Sequence, residues 1–275
     1  MSTKTDSVVI ENDSRLASYG AYINEMWERK GLVRVLASRE LKSSYDMNVV
    51  GFMWWLLEPL TLTGVYFILF SVIFNNRREN YLLVLLTALL PFKWFNQTIV
   101  QSMGTVRSHA SLITDVYFPR ALLPMTETVI GLAHFSVGLL VVPVLMIIMG
   151  VPATWNLLAL PGIMLVQLIF GLGLAYPMSV LGLNYRNLPN LMGNILRLWF
   201  YLSPAIWSIE RVPERYHWLV SLNPLSGLFQ GYHSAILGDP WRVWDLMWTL
   251  TLGTVLLIGG TYYFTRREAQ FGKML

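Results

Sequence analysis

Six stretches of this chain stay apolar long enough to predict spanning helices. They are residues 49–74, 81–104, 121–149, 157–183, 191–209 and 244–264. A hydrocarbon layer about 30 Å thick needs roughly 20 such residues in a helix. A seventh apolar stretch, WLVSLNPLSGLFQGYHSAIL (218–237), is interrupted by Asn223, Pro224, Gly227 and Gly231. That pattern predicts a re-entrant or interfacial pair of short helices, since irregular backbone at membrane depth must be satisfied by protein or by a water-filled cavity. Upstream, GLVRVLASRELKSSY (31–45) sets Leu32, Val33, Leu36 and Leu41 at near-helical spacing, with Arg34, Arg39, Glu40 and Lys42 between them. This predicts a helix lying on the inner leaflet, with a plain juxtamembrane linker as the alternative. Residues 1–30 read as a polar cytosolic tail, and 1–18 hold no apolar run that would serve as a signal-peptide core. There is no internal repeat. The expected fold is an all-α membrane protein in one domain, 31–275, with six transmembrane helices, an N-terminal interfacial helix and a re-entrant segment before the last helix.

Composition agrees. The chain is 55% hydrophobic and 13% charged, against about 25% charged in a typical soluble domain. Eleven Trp and thirteen Tyr suit the water–lipid boundary. With no cysteine, disulfides, thiolate metal sites and a cysteine nucleophile are excluded.

Lys and Arg set the orientation. With the N-terminus inside, segments 1–48, 105–120, 184–190 and 265–275 face the cytosol and hold 13 of the 20 basic residues. The outer segments hold five: Arg77, Arg78, Arg211, Arg215 and Arg242. The asymmetry places both termini in the cytosol, as the positive-inside rule expects.

The first cytosolic loop is unusual. RSHASLITDVYFPRALLP (107–124) is polar at its start, then places Leu112 and Val116 on one helical face with Ile113 and Tyr117 beside them. Asp115 and Arg120 flank that face, and Pro119 and Pro124 punctuate the approach to the third span. A short amphipathic helix there must cover its stripe against the membrane surface or in the groove of a soluble partner.

Four ionisable residues fall inside the expected spans: Glu58, Lys93, Glu127 and Arg197. Glu127 and Arg197 lie about 9 Å from the cytosolic end, Glu58 about 14 Å and Lys93 about 16 Å. Each costs roughly 2.5–3.5 kcal/mol at a helix centre on insertion scales. They serve either as interhelical ion pairs and snorkelling chains or as contacts for an anionic headgroup. Phe92, Trp94, Trp199 and Tyr201 cluster near Pro and Gly breaks. They suit either an interfacial belt or a lining on which sugar rings stack. His109, His134, His217 and His233 show no metal-ligand spacing. No Ser-His-Asp or paired-carboxylate arrangement points to hydrolysis. The breaks at Ser203-Pro204 and Asn223-Pro224 interrupt helices.

Five ordered motifs carry a resemblance: RELKSSYDMNVVGFMWWLLEPL, SHASLITDVYFPRALLP, NYRNLPNLMGNILRLWFYLSPAIW, VSLNPLSGLFQGYHSAIL and FTRREAQFGKML. Together, over residues 31–275, they resemble the ABC-2 type permeases that export polysaccharides. Departures are His109 where that family commonly has Asn, Asn187 where an acidic residue often follows Arg186, and fewer basic residues around Ser44 and Asp46.

The resemblance implies that the loop helix docks a separate nucleotide-binding ATPase through His109, Ser111, Leu112, Ile113, Asp115, Tyr117 and Arg120. It implies an outer gate at Asn223, Pro224, Gly227 and Gly231. The implied substrate path runs past Phe92, Lys93, Trp94, Arg197, Trp199 and Tyr201. The chain has no G-x-x-x-x-G-K-[ST] loop, so ATP and Mg belong to the partner. No catalytic residue, resident metal or nucleic-acid partner is expected. Six helices are few to enclose a polymer, so a two-fold homodimer with two ATPase subunits is expected, in a bacterial plasma membrane. The implied cargo is a polyprenyl-pyrophosphate-linked polysaccharide of O-antigen, teichoic acid, capsule or galactan type. Alternatives are export of a drug or small lipid, a membrane enzyme acting on polyprenyl-linked sugars, or a scaffold for cell-wall synthesis.

Overall fold

The computed structural model describes residues 19–46, 49–73 and 79–274. The tail 1–18, Phe74 at the end of the first expected span, and Arg77 and Arg78 of the outer loop lie outside them. The regular structure of the described residues is helical, without strands. Thirteen α-helices follow in order: α1 (Tyr19–Glu28), α2 (Lys30–Asp46), α3 (Val49–Phe67), α4 (Tyr81–Ser108), α5 (Ala110–Asp115), α6 (Leu122–Leu139) and α7 (Val141–Met149). Then come α8 (Leu160–Asn184), α9 (Leu188–Tyr201), α10 (His217–Leu222), α11 (Pro224–Leu237), α12 (Val243–Glu268) and α13 (Phe271–Met274).

Among the described residues, four helical stretches are long and apolar enough to cross a membrane: Tyr81–Ser108, Leu122–Met149, Trp155–Asn184 and Val243–Glu268. They coincide with the second, third, fourth and sixth expected spans. The third is α6 and α7 in series, with a tightened turn in which Leu140 N–H donates to the Val137 carbonyl at 3.2 Å. Pro143 has no N–H to offer the carbonyl four residues back, so the helix steps there. The first expected span is α3 followed by a π-helical turn, Ile68–Ile73, with Pro59 inside the helix.

The fifth expected span is shorter than the sequence implies. The helix begins three residues early, at Leu188 with Pro189 in its first turn, and ends at Tyr201. Fourteen residues rise only about 21 Å. Pro204 disfavours helical backbone at Ser203, and the chain turns there, with Ser203 N–H donating to the Phe200 carbonyl at 3.0 Å. In the seventh stretch the break falls at Asn223-Pro224 alone. Gly227 and Gly231 lie inside α11, a correction to their expected role as interruptions. Gly227 serves close packing, since a Cβ there would strike the Asp245 carbonyl, whereas one on Gly231 would make only ordinary contact with Ile163.

The most enclosed of the long helices, α4, sits among α3, α6, α8, α9 and α11. α8 packs against α4 on one side and α12 on the other. Both contacts need glycine. A Cβ on Gly182 would overlap the Met103 backbone, and one on Gly260 would lie 2.6 Å from the Gly173 carbonyl. A large apolar cluster forms around Trp94, Phe95, Phe135, Phe170, Phe200, Phe229 and Tyr232. A smaller one closes the end of the bundle that holds α1 and the α5 loop, around Tyr22, Val33, Ile113, Phe118, Leu183, Phe264 and Phe271.

The expected tail contains α1, whose Tyr22 is buried. The stripe expected on 31–45 lies on α2, where Val33 is buried, Leu32, Leu36 and Leu41 are half-buried, and α6 is the facing helix.

Candidate functional site

One groove gathers most of the chemistry. α3, α4 and α9 enclose about 700 Å³, lined by Glu58, Tyr66, Phe92, Lys93, Arg197 and Tyr201 among others. α4 builds one wall, where Lys93, Gln97 and Gln101 recur every four residues and so share a face. Asn96 joins them. Lys93 Nζ meets Glu58 Oε2 at 2.7 Å, across from α3. The Tyr66 and Tyr201 hydroxyls are 2.8 Å apart, linking α3 to the end of α9. The Phe92 and Phe200 rings lie 4.6 Å apart between centroids. Arg197 is exposed and lines the same groove. The result is a trough with amide, cationic and aromatic groups side by side. Such a surface can hydrogen-bond hydroxyls, stack on ring faces and attract an anion.

Of the six path residues expected from sequence, Phe92, Lys93, Arg197 and Tyr201 thus meet here. Trp94 does not, and its place corrects that expectation. It is 1% exposed, stacks on Phe135 at 5.2 Å and donates its indole N–H to the Thr128 carbonyl at 3.1 Å. It points away from the groove because one residue's step from Lys93 turns the helix by about 100°. Trp199 also lies off the groove, against Phe95 and Phe170. Of the four intramembrane charges, Glu58 and Lys93 pair, Arg197 joins them in the groove, and Glu127 is buried elsewhere in α6. Tyr66, Asn96, Gln97 and Gln101 are functional candidates that sequence reading missed. The four-residue repeat of polar residues in the second span was the available signal.

The loop after α4 forms α5, only six residues long. His109 precedes it, with Nδ1 2.9 Å from the Thr105 carbonyl. Ser111 and Asp115 face outward and Leu112 is half-buried. Ile113 is 6% exposed in the smaller apolar cluster, so it packs inside this chain instead of presenting a docking face. Val116 is extended and ends the helix, which splits the stripe expected to join it to Leu112. Phe118 turns inward while Val116 and Tyr117 stay exposed. Arg120 is likewise turned inward, donating from its guanidinium to the Glu268 carbonyl.

At the opposite end, Asn223 caps α11 by accepting from Leu225 N–H at 3.1 Å. It also accepts from the Trp199 indole at 2.9 Å and donates to Ser203 Oγ at 2.8 Å. Pro224 occupies the first turn, where a missing N–H costs nothing. The histidines hydrogen-bond within the chain: His217 Nε2 lies 2.8 Å from the Val212 carbonyl and His233 Nε2 3.0 Å from that of Val84.

Comparison with known proteins puts this arrangement in context. The chain is similar to the O-antigen export system permease protein RfbA of Myxococcus xanthus, 28% identical over 258 residues that cover 92% of this chain and 98% of the relative. A protein of the same name from Klebsiella pneumoniae is 25% identical over 245 residues, covering 89% and 95%. The polysialic acid transport protein KpsM of Escherichia coli is 24% identical over 258 residues, covering 88% and 95%. The family model described as "ABC-2 type transporter" matches residues 31–237, a span that holds the groove, the α5 loop and the Asn223 cap: the chain belongs to the ABC-2 type transporter family.

Proposed function

We propose that this chain is the membrane subunit of an ATP-driven exporter that moves a polyprenyl-pyrophosphate-linked polysaccharide from the cytosol across a bacterial plasma membrane. The observation that carries the reading is the groove. Arg197 offers positive charge, with the Lys93–Glu58 pair nearby, beside Asn96, Gln97 and Gln101, and Phe92 and Tyr201 are at hand for ring stacking. A sugar chain presents hydroxyls and C–H faces, and its lipid-linked end presents a pyrophosphate. The relatives named for O-antigen and polysialic acid transport support the same class of cargo.

Two copies related by a two-fold axis bring two grooves together into a path wider than one chain offers. Six crossings per copy require α3 with its π-helical turn and α9 with the turns after it to complete the first and fifth spans. The pair α10–α11 acts as the outer gate, hinged at Asn223-Pro224. Two copies of a nucleotide-binding subunit dock at α5, chiefly on Ser111, Asp115 and the exposed Tyr117, and supply ATP and Mg. Both termini lie in the cytosol.

Replacing Arg197 by Leu tests this reading in cells that depend on the chain for a surface glycan. Long lipid-linked glycan is expected to accumulate inside, with export reduced at least tenfold and the partner still co-purifying. Undiminished export of long glycan by that variant overturns the headgroup role, and export of short lipids alone by the native chain overturns the polymer reading.

A further inference from the structure

Five hydrogen bonds converge where the α5 loop meets the two ends of the chain. Glu268, the last residue of α12, is 8% exposed. Its carboxylate accepts from the Tyr22 hydroxyl of α1 and from the Arg120 N–H, the latter at 3.0 Å. Its carbonyl accepts from the Arg120 guanidinium. The Ala121 N–H donates to the Tyr22 oxygen at 3.3 Å, and Arg29, in the turn between α1 and α2, donates to the Tyr117 carbonyl at 2.8 Å. Burial, with the Glu268 carboxylate next in effect, pushes the Tyr22 phenol well above its usual range, so it remains a donor. Residues 117–121 are thereby clasped between α1 and α12.

From Glu268, α12 runs back 26 residues without a proline, about 39 Å. Its side is locked to α8, where a Cβ on Gly253 would lie 2.9 Å from the Phe170 Cα. At its outer end Thr249 Oγ1 donates to the Pro224 carbonyl at 2.8 Å, and the Trp248 indole donates to the Leu222 carbonyl at 2.9 Å. One unbroken helix therefore holds the α5 loop at one end and the Asn223-Pro224 break at the other.

We propose that Glu268 is a positioning residue that makes α12 a rod between the docking loop and the outer α10–α11 segment, so that displacing the loop moves that segment in the same step. The proposal rests on the reading of α5 as the docking site. A buried carboxyl group stripped of its hydrogen-bond partners is strongly disfavoured. The clasp thus resists separation of loop and rod. Coupling through such an element requires that both of its ends bias it.

The chain has no cysteine, so Trp218→Cys on α10, where Trp218 is 60% exposed, gives one spin-label site. The labelled chain is assembled with its ATPase partner in lipid nanodiscs, and the label spectrum is read with and without ATP and Mg. The otherwise unaltered chain is expected to respond to nucleotide. Glu268→Ala is expected to reduce both the response and export at least tenfold while the partner still binds and hydrolyses ATP. Glu268→Gln, whose amide oxygen still accepts from the Arg120 N–H, is expected to recover most of both. A native-sized response in Glu268→Ala overturns the proposal, as does equal loss in the Ala and Gln variants. Should Glu268→Ala fail to assemble, Tyr22→Phe decides: a response reduced several-fold supports the rod, and an unchanged one overturns it. A chain with Glu268 intact that binds no ATPase overturns the docking reading, and is recognised before any Glu268 variant is compared.

Discussion

Lys93 on α4 and Glu58 on α3 form a 2.7 Å ion pair that ties together two walls of the groove. The Glu58 side chain is 51% exposed and that of Lys93 19%, so the pair is half-open to whatever fills the groove. Pairs of this exposure contribute about 0–1 kcal/mol. Glu58→Gln is therefore expected to leave the thermal midpoint in detergent nearly unchanged. Lys93→Gln removes a cation from the groove and is expected to slow glycan export several-fold at similar stability. Side-by-side melting and export measurements check both. A large drop in stability with either variant would show that the pair holds the fold.

The two sides of α4 and α9 call for opposite outcomes from aromatic truncation. Trp94 is fully buried with its indole N–H satisfied, and Phe or Trp to Ala in a core costs about 3–5 kcal/mol. Trp94→Ala is expected to lower yield and midpoint sharply. Tyr201 is 38% exposed, and Tyr201→Ala is expected to fold with a small loss from its hydroxyl contact to Tyr66 while export falls. Quantifying folded protein by size-exclusion profile before measuring export separates the effects.

Much of this was legible in the sequence, and the limits have physical causes. Apolar length marked four spans correctly because hydrophobic length is a local property. It overextended α9, where Ser203-Pro204 already marked a stop. Lys93 and Arg197 stood out as costly charges, yet Trp94, one residue from Lys93, was assigned to the same path because a list of aromatics ignores helical phase. The Tyr22–Glu268 contact joins residues 246 positions apart and leaves no local pattern. Leu112 and Val116 read as one stripe, which the extended backbone at Val116 divides.

Glycines divide in the same way. A Cβ at Gly182 on α8 would overlap the Met103 backbone on α4, whereas one at Gly193 on α9 meets nothing within 4 Å. Gly to Ala within a helix is favourable by roughly 0.5–1 kcal/mol where space allows. Gly193→Ala is expected to raise the thermal midpoint slightly and Gly182→Ala to lower it, since α4 and α8 must move apart. Midpoints measured in the same detergent decide it. A destabilised Gly193→Ala would place a neighbour against α9, such as a second copy of the chain.

Asn223 and Trp199 supply the sharpest test of the α10–α11 segment. The Asn223 side chain accepts from the Trp199 indole and the Leu225 N–H and donates to Ser203 Oγ, so one residue ties the end of α9 to the start of α11. Asn223→Ala deletes the cap, worth about 1 kcal/mol. It also strands the partly buried indole N–H, adding about 1–3 kcal/mol. Asn223→Asp keeps both acceptor contacts. If α10–α11 closes the outer end of the path, the Ala variant is expected to leak small ions or dyes from proteoliposomes without ATP, and the Asp variant to stay nearly tight. Both variants staying tight, with export unchanged, would show that the Asn223 junction is a structural joint outside the barrier.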